Sequence, residues 1–270
     1  MKPTPILYQD FLLTLSKLGI VPNFYMSAVY FELHPEIKFF RYMGWEWAED
    51  DEWLIFPPVK SNKISIIPFT FSDKNIWCDF FGMGYMDYDW LGGEKQFLDY
   101  EYLYNPVDFK NMVGGRWEKF RKNCRKWPKV NEGYIYTKDP PRQGQIATLL
   151  LKWIQSKGGE IEDADFIVEL ANNTTSKDVQ RYYLYKSTGE LVAFNIADEN
   201  WMFINYRLLV ADPDEIYIDE FMRWKFYTSN FVAGKIVNDG GSMGFDGLEN
   251  FKDHMNPIYK NKRYSIINKK

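Results

Sequence analysis

A mixed α/β fold is the architecture this chain predicts, and three observations carry it. Short alternating or aromatic runs, bounded by Pro, Asp, Asn and Lys clusters, read as antiparallel strands. Between them lie segments with apolar residues at helical spacing, of which Gln145 to Gln155 is the clearest. After Pro140-Pro141 the second half repeats this mixed order, without a literal repeat of sequence. With 270 residues the chain has room for one large or two small cores, and the expected division is 1–139 and 140–270.

In chain order, Ile6 to Leu18 predicts a helix that ends near Gly19. Phe24 to Phe31, Trp45 to Phe56, Ile64 to Phe71 and Leu98 to Tyr104 predict strands. Val107 to Trp127 reads as a helix or helix pair, broken at Gly114-Gly115 and ended by Pro128. Arg181 to Lys186 and Leu191 to Asp198 form a hairpin across Ser187-Thr188-Gly189. A strand from Trp201 to Val210, a helix from Glu215 to Asn230 and a strand from Lys235 to Asn238 follow.

Composition narrows the function classes. Aromatic residues make up 19% of the chain, which argues for ordered packing rather than disorder. A net charge of -4 selects no polyanionic partner for the molecule as a whole. Two cysteines, Cys78 and Cys124, make neither a disulfide framework nor a zinc set. His34 and His254 are the only histidines, too few for a His-rich metal site, and no metal is expected. With no apolar run of membrane-spanning length and no signal peptide, the expected location is the cytoplasm.

The strand end Lys235-Ile236-Val237 runs into Asn238-Asp239-Gly240-Gly241-Ser242-Met243-Gly244-Phe245-Asp246-Gly247-Leu248, followed by Phe251-Lys252 and Pro257. Glycine is the residue of positive φ and of close backbone approach. A turn that mixes four glycines with carboxylates, an amide and a hydroxyl at a strand's carboxyl end reads as a site; the plain alternative is a mobile surface loop.

This pattern, with Glu101-Tyr102-Leu103-Tyr104, Gly114-Gly115-Arg116-Trp117-Glu118-Lys119-Phe120-Arg121 and the hairpin Gly189 to Phe194, resembles the phosphatidylglycerol lysyltransferase C-terminal-domain family. It is similar, more loosely, to the Fem-type aminoacyltransferases. The likeness spans roughly residues 20 to 265. It implies two tandem acetyltransferase-like (GNAT) folds with mixed sheets flanked by helices, and acyl or aminoacyl transfer to an amine or hydroxyl. No tightly bound cofactor is implied; the co-substrate is an aminoacyl-tRNA or an acyl-CoA. Where the family has an acidic residue four positions after the asparagine, this chain has Ser242.

Such a transfer needs an oriented nucleophile, an oxyanion partner and a proton acceptor. Asp239 and Asp246 are the candidate bases, with burial expected to raise a carboxyl toward neutrality. Lys252 is a candidate for the oxyanion or a phosphate, and Asn238 for orienting a carbonyl or amine. Gly240, Gly241, Ser242 and Gly244 would offer backbone N–H groups to the substrate. Tyr206 and Arg207 at a strand end, and Asp219-Glu220 on the next helix, could line the cleft; the simpler reading pairs the acids with Arg223 or Lys225.

On the stretch Arg116 to Lys129, read as a helix, Trp117, Phe120, Cys124 and Trp127 share one face. Arg116, Lys119, Arg121, Lys122, Arg125 and Lys126 would present a positive field to a phosphate-bearing partner: tRNA, DNA or coenzyme A. Lys260-Asn261-Lys262-Arg263 could extend that patch. A GNAT acetyltransferase grips pyrophosphate on a glycine turn at a helix N-terminus. The corresponding turn here, Val210 to Glu215, has three acids and no glycine, which favours aminoacyl-tRNA over acetyl-CoA. Two rivals remain: acyl transfer to a nucleic-acid base, and a non-catalytic phosphate- or nucleic-acid-binding module of the same fold.

Overall fold

A computed structural model describes residues 3–60, 75–76, 94–158, 164–172, 179–242 and 244–267. The first half holds β1 (Thr4–Ile6), α1 (Tyr8–Lys17), α2 (Ala28–Leu33), β2 (Lys38–Tyr42), β3 (Trp45–Glu49) and β4 (Trp53–Lys60). It continues with β5 (Asn75–Ile76), β6 (Glu94–Tyr104), α3 (Pro106–Asn111), α4 (Glu118–Asn123) and α5 (Lys126–Val130). Then come β7 (Ile135–Thr137), α6 (Gln145–Ser156), α7 (Ala164–Asn172), β8 (Gln180–Tyr185), β9 (Leu191–Glu199) and β10 (Phe203–Ala211). The chain finishes with α8 (Ile218–Tyr227), β11 (Ile236–Asn238), α9 (Asp246–His254) and β12 (Tyr259–Ile267).

Among the described residues the strands join into one sheet of twelve, ordered β1-β2-β3-β4-β5-β12-β6-β11-β10-β9-β8-β7. Two pairings, β4–β5 and β10–β11, are parallel. The last strand, β12, lies between β5 and β6 and pairs with β6 from Tyr259↔Leu103 to Ile267↔Glu94. Strands β10 and β11 pair only from Phe203↔Ile236 to Asn205↔Asn238, and β10 then bulges between Tyr206 and Leu208. Past Asn205 the two parallel strands are no longer hydrogen-bonded to each other, and a crevice at the carboxyl ends of parallel strands is where α/β sheets take ligands.

One sheet face packs on α3, α4 and α8 through Tyr102, Tyr104, Phe109, Trp117, Phe120, Phe226 and Tyr227. Burial of each such ring contributes about 1.5–3 kcal/mol. The helices have local causes. Asn105 caps α3, its side chain accepting the Val107 N–H, with Pro106 in the first turn.

Three sequence expectations change. Phe24 to Phe31 is not a strand: Ser27 accepts the Tyr30 N–H at 3.2 Å and starts α2, leaving residues 23–27 as an irregular segment. Trp45 to Phe56 is two strands, β3 and β4, turned by the Asp50 carboxylate, which accepts from Glu52 and Trp53 N–H. The stretch Arg116 to Lys129 is a 3-10 turn, Gly115–Trp117, followed by α4 and α5. Pro128 falls in the first turn of α5, where its missing N–H costs no helical bond, so it does not end the segment. The expected strand Ile64 to Phe71, together with Cys78 and Met243, lies outside the described residues.

Candidate functional site

The glycine turn after β11 is bound to β6 rather than left loose. Asp239 N–H donates to Tyr102 O at 2.9 Å, and Tyr102 N–H to Gly240 O at 3.1 Å. The Asn238 side-chain oxygen accepts the Gly240 N–H at 2.9 Å. Gly240 has φ 61°, and a Cβ there would press on the Phe24 ring at 3.0 Å. A Cβ on Gly241 would collide with the Asp99 carboxylate, lying 2.9 Å from its Cγ. Ser242, 1% exposed, donates to that same carboxylate at 2.9 Å. The Gly240 N–H, expected to face a substrate, is therefore spent on the fold, as is the N–H of Asp239.

Asp239 points to the helix-covered face and is buried there. Arg223 Nε donates to its Oδ2 at 3.0 Å, Tyr227 OH donates to the same oxygen, and Lys252 Nζ stands 3.3 Å from Oδ1. Arg223 and Tyr227 are one turn apart on α8 and so reach one carboxylate together. Lys252 also donates to Asp239 O, and to Gly241 O at 2.7 Å, so its three donors staple the glycine turn to α9. Burial pushes the Asp239 carboxyl up, but Arg223 and Lys252 outweigh it and hold it below its ordinary 3.8. The expected rise toward neutrality is thus reversed, because two buried cations face this carboxylate.

Asn238 points the other way. Residues paired directly across strands share a face, so Asp198, Asn205 and Asn238 line one row over β9, β10 and β11. Asn238 donates to Glu101 Oε2 at 3.2 Å, which extends the row to β6. Asp198, Asn205, Asn238 and Glu101 are all 0% exposed. Burial raises the Glu101 carboxyl above its ordinary 4.5, while Arg263 and hydrogen bonds from Phe24 N–H, Asn238 and Asn261 pull against that. The segment of residues 23–27 lies over the row. Phe24 N–H donates to Glu101 Oε1 at 3.0 Å and Phe24 O accepts from Arg207 Nη1. Arg207 also donates to Asp198 at 2.9 and 3.1 Å and to Ser27 Oγ at 2.7 Å, so it is a buried strut rather than an open cleft residue.

The remaining expected residues scatter. Asp246 heads α9 at the surface, where an acid suits the positive end of a helix, and not beside Asp239. Gly244, φ 73°, is exposed. Tyr206, 2% exposed, packs beneath the Arg223 guanidinium at 5.3 Å. Asp219 is exposed, and Glu220 accepts from Asn123 at 3.0 Å; Arg223 faces Asp239 instead of pairing with them at the surface.

A cavity of about 180 Å³ between α4, α8 and α9 gathers Lys119, Glu220, Asn250, Phe251 and His254. Arg116, Lys122 and Arg125 are exposed, Arg121 donates to Met112 O at 2.5 Å, and Lys126 lies 3.9 Å over the Tyr217 ring. Asn261 and Arg263 are buried in β12 and Lys260 pairs with Asp253 at 2.9 Å, which leaves Lys262 as the exposed base of that tail. In the acidic turn before α8, Asp212 and Asp214 hold Lys152 at 2.6 and 2.7 Å, and Glu215 holds Lys186 at 2.5 Å. The described residues hold no cluster of three or more potential metal ligands, and no helix among them is long and apolar enough to cross a membrane.

Sequence reading missed Glu101 and Asn205 as site residues, and saw Arg223 only as a partner for its own helix. No protein-family model and no curated sequence matches the chain. Solved structures do. A conserved protein of unknown function from Bacteroides thetaiotaomicron VPI-5482 matches over 100% of both chains, at TM-score 0.74 and 14% identity. L-PGS from Bacillus licheniformis matches over 97% of this chain and 92% of its own, at TM-score 0.65 and 13% identity. FemX matches over 99% and 98%, at TM-score 0.60 and 9% identity. A tandem GNAT protein from the clavulanic acid biosynthesis pathway matches over 100% and 99%, at TM-score 0.54 and 8% identity. At such identities the likeness speaks for architecture, and the chain has a mixed α/β, tandem GNAT-like fold.

Proposed function

We propose that the protein is an acyltransferase whose chemistry lies on the Glu101–Asn238 face of the central sheet, next to the end of β11. The observation that carries this reading is Glu101: among the described residues it is the carboxylate whose proton affinity is raised, and it sits beside the β10–β11 parting. Raised carboxyls of this kind take a proton from an incoming amine or hydroxyl. Asn238, 3.2 Å away, orients the group being attacked. Asp239 and Lys252 serve by holding the glycine turn, and Ser242 by fixing it to Asp99. An activated aminoacyl ester needs no further cofactor, and the donor we favour is aminoacyl-tRNA. Support comes from the turn at residues 212–215, which has no glycine and whose Asp214 and Glu215 N–H groups are spent on Asp212 rather than free for a pyrophosphate. The exposed Arg116, Lys119, Lys122 and Arg125 would meet the phosphates of that donor.

Incubation with mixed aminoacyl-tRNA or with acetyl-CoA, in a pool of amine and hydroxyl acceptors, tests the proposal. Donor ester loss with aminoacyl-tRNA is expected, reduced about 100-fold or more in Glu101→Gln. Full turnover in that variant would remove Glu101 as the base, and no consumption of either donor would remove the reading.

A further inference from the structure

The polar row on the strapped face has a member with nothing to do. Asn205 is 0% exposed, and neither its side-chain oxygen nor its nitrogen has a hydrogen-bond partner. Buried amides left this way cost stability, so one kept at the centre of a sheet calls for an explanation. Its neighbours supply it. Asn205 stands directly opposite Asn238 on one side and Asp198 on the other, and two residues along the strand is Arg207. Both Glu101 and Arg207 are engaged by the same residue, Phe24: its N–H goes to the carboxylate and its C=O to the guanidinium. The N–H and C=O of one residue, from two successive peptide groups, thus already span this face. Phe24 is only half-buried, its ring 4.3 Å over the Arg207 guanidinium and against Gly240.

We infer that Glu101, Asn205 and Arg207 form a recognition site for a primary carboxamide, held shut in this structure by Phe24 and opened when the 23–27 strap lifts. Counting donors and acceptors selects that group. With Phe24 gone, Glu101 offers an acceptor oxygen and Arg207 a donor nitrogen, while Asn205 offers one atom of each kind. A primary amide has two N–H donors and an oxygen with two lone pairs, and so answers all four. A secondary amide lacks one N–H, a carboxylate lacks both and would meet Glu101 as a like charge. Such a ligand is the carboxamide of an asparagine or glutamine side chain, or an amidated carboxyl end. This deepens the acyl-transfer reading by naming what the same face binds, and its test uses no acyl donor, so the two fail separately.

The test is a ligand-detected NMR titration of the full chain with propionamide, N-methylacetamide and propionate. Propionamide is expected to bind about tenfold more tightly than N-methylacetamide, the worth of one well-made hydrogen bond. Asn205→Leu, which keeps the branched heavy-atom shape, should lose about tenfold in propionamide affinity while its melting temperature does not fall. Phe24→Ala, which loosens the strap, should bind propionamide more tightly than the parent chain. In hydrogen exchange, propionamide but not propionate should speed exchange of the Phe24 N–H. Equal binding of the two amides, or undiminished affinity in Asn205→Leu, would overturn the inference. Absence of binding to both the parent chain and Phe24→Ala would do the same.

Discussion

Two buried polar clusters on opposite faces of the central sheet, one around Asp239 and one around Asn238, are built in opposite ways. On the helix-covered face, Asp239 meets Arg223, Tyr227 and Lys252, and each of these three donors is engaged by it. On the strapped face, one strand position away, Asn238 belongs to a row in which its neighbour Asn205 is an amide with no partner. The first arrangement is a finished structural joint. The second has vacant capacity for a ligand. A buried ion cluster is weak evidence for catalysis on its own; an unanswered buried group in a sheet crevice points toward binding. The difference teaches that the residues richest in charge need not be the ones that meet substrate.

The contrast can be broken most forcefully at Asp239. Its replacement by Ala strands two buried cations and should cost about 3–5 kcal/mol of stability in urea denaturation. A loss below about 1 kcal/mol would mean the cluster behaves as a surface ion pair. Gly241→Ala should come next, at about 1–3 kcal/mol, since its Cβ enters the Asp99 carboxylate and the turn must shift. Relief of that loss by Asp99→Gly in a double-mutant cycle would sharpen the assignment.

Acid titration should separate the faces by sign. The Asp239 carboxyl is held below 3.8, so its contribution is complete above that pH and is lost as pH falls through it. The Glu101 carboxyl is held above 4.5, so the folded chain keeps its proton longer and stability declines as pH rises from 4.5 through the raised value. Glu101→Gln should flatten the decline above pH 4.5, and Asp239→Asn the loss below 3.8, both read from urea midpoints. If either variant flattens the opposite limb, the two carboxyls have been assigned the wrong way round. The smallest effect is expected at Asn205, where Leu should raise stability by about 1 kcal/mol by removing an unanswered amide. A destabilised Asn205→Leu would mean the amide has a structural partner after all.

Much of this was legible in the sequence. The hairpin β8–β9, helix α6 and the glycine turn follow from turn residues and period, and Gly240 and Gly241 are needed for the reasons glycine usually is: positive φ and a close neighbour. The meeting of Asp239 with Lys252 follows the sequence grouping, but Asn238 faces the other side of the sheet, and what each does depends on partners from α8 and β6 that the sequence does not place. Strand β12 hid because its inward face carries Asn261, Arg263 and Ser265, all buried, so its alternation lacks the apolar side that marks a strand. Residues 23–31 misled because an aromatic run suits either a strand or a packed short helix, and Ser27 as a cap decides it. Glu101 was in plain view, yet its environment is assembled from residues 24, 238, 261 and 263, which no local window contains.

The seating of β12 between β5 and β6 has a consequence for biogenesis. Strand β6 is made long before residues 259–267, so on the ribosome one of its edges waits without its eventual neighbour. Until that late strand arrives, the open edge is a template for pairing with another nascent copy. Chains cut short before residue 259 should therefore aggregate rather than persist as half-folded monomers.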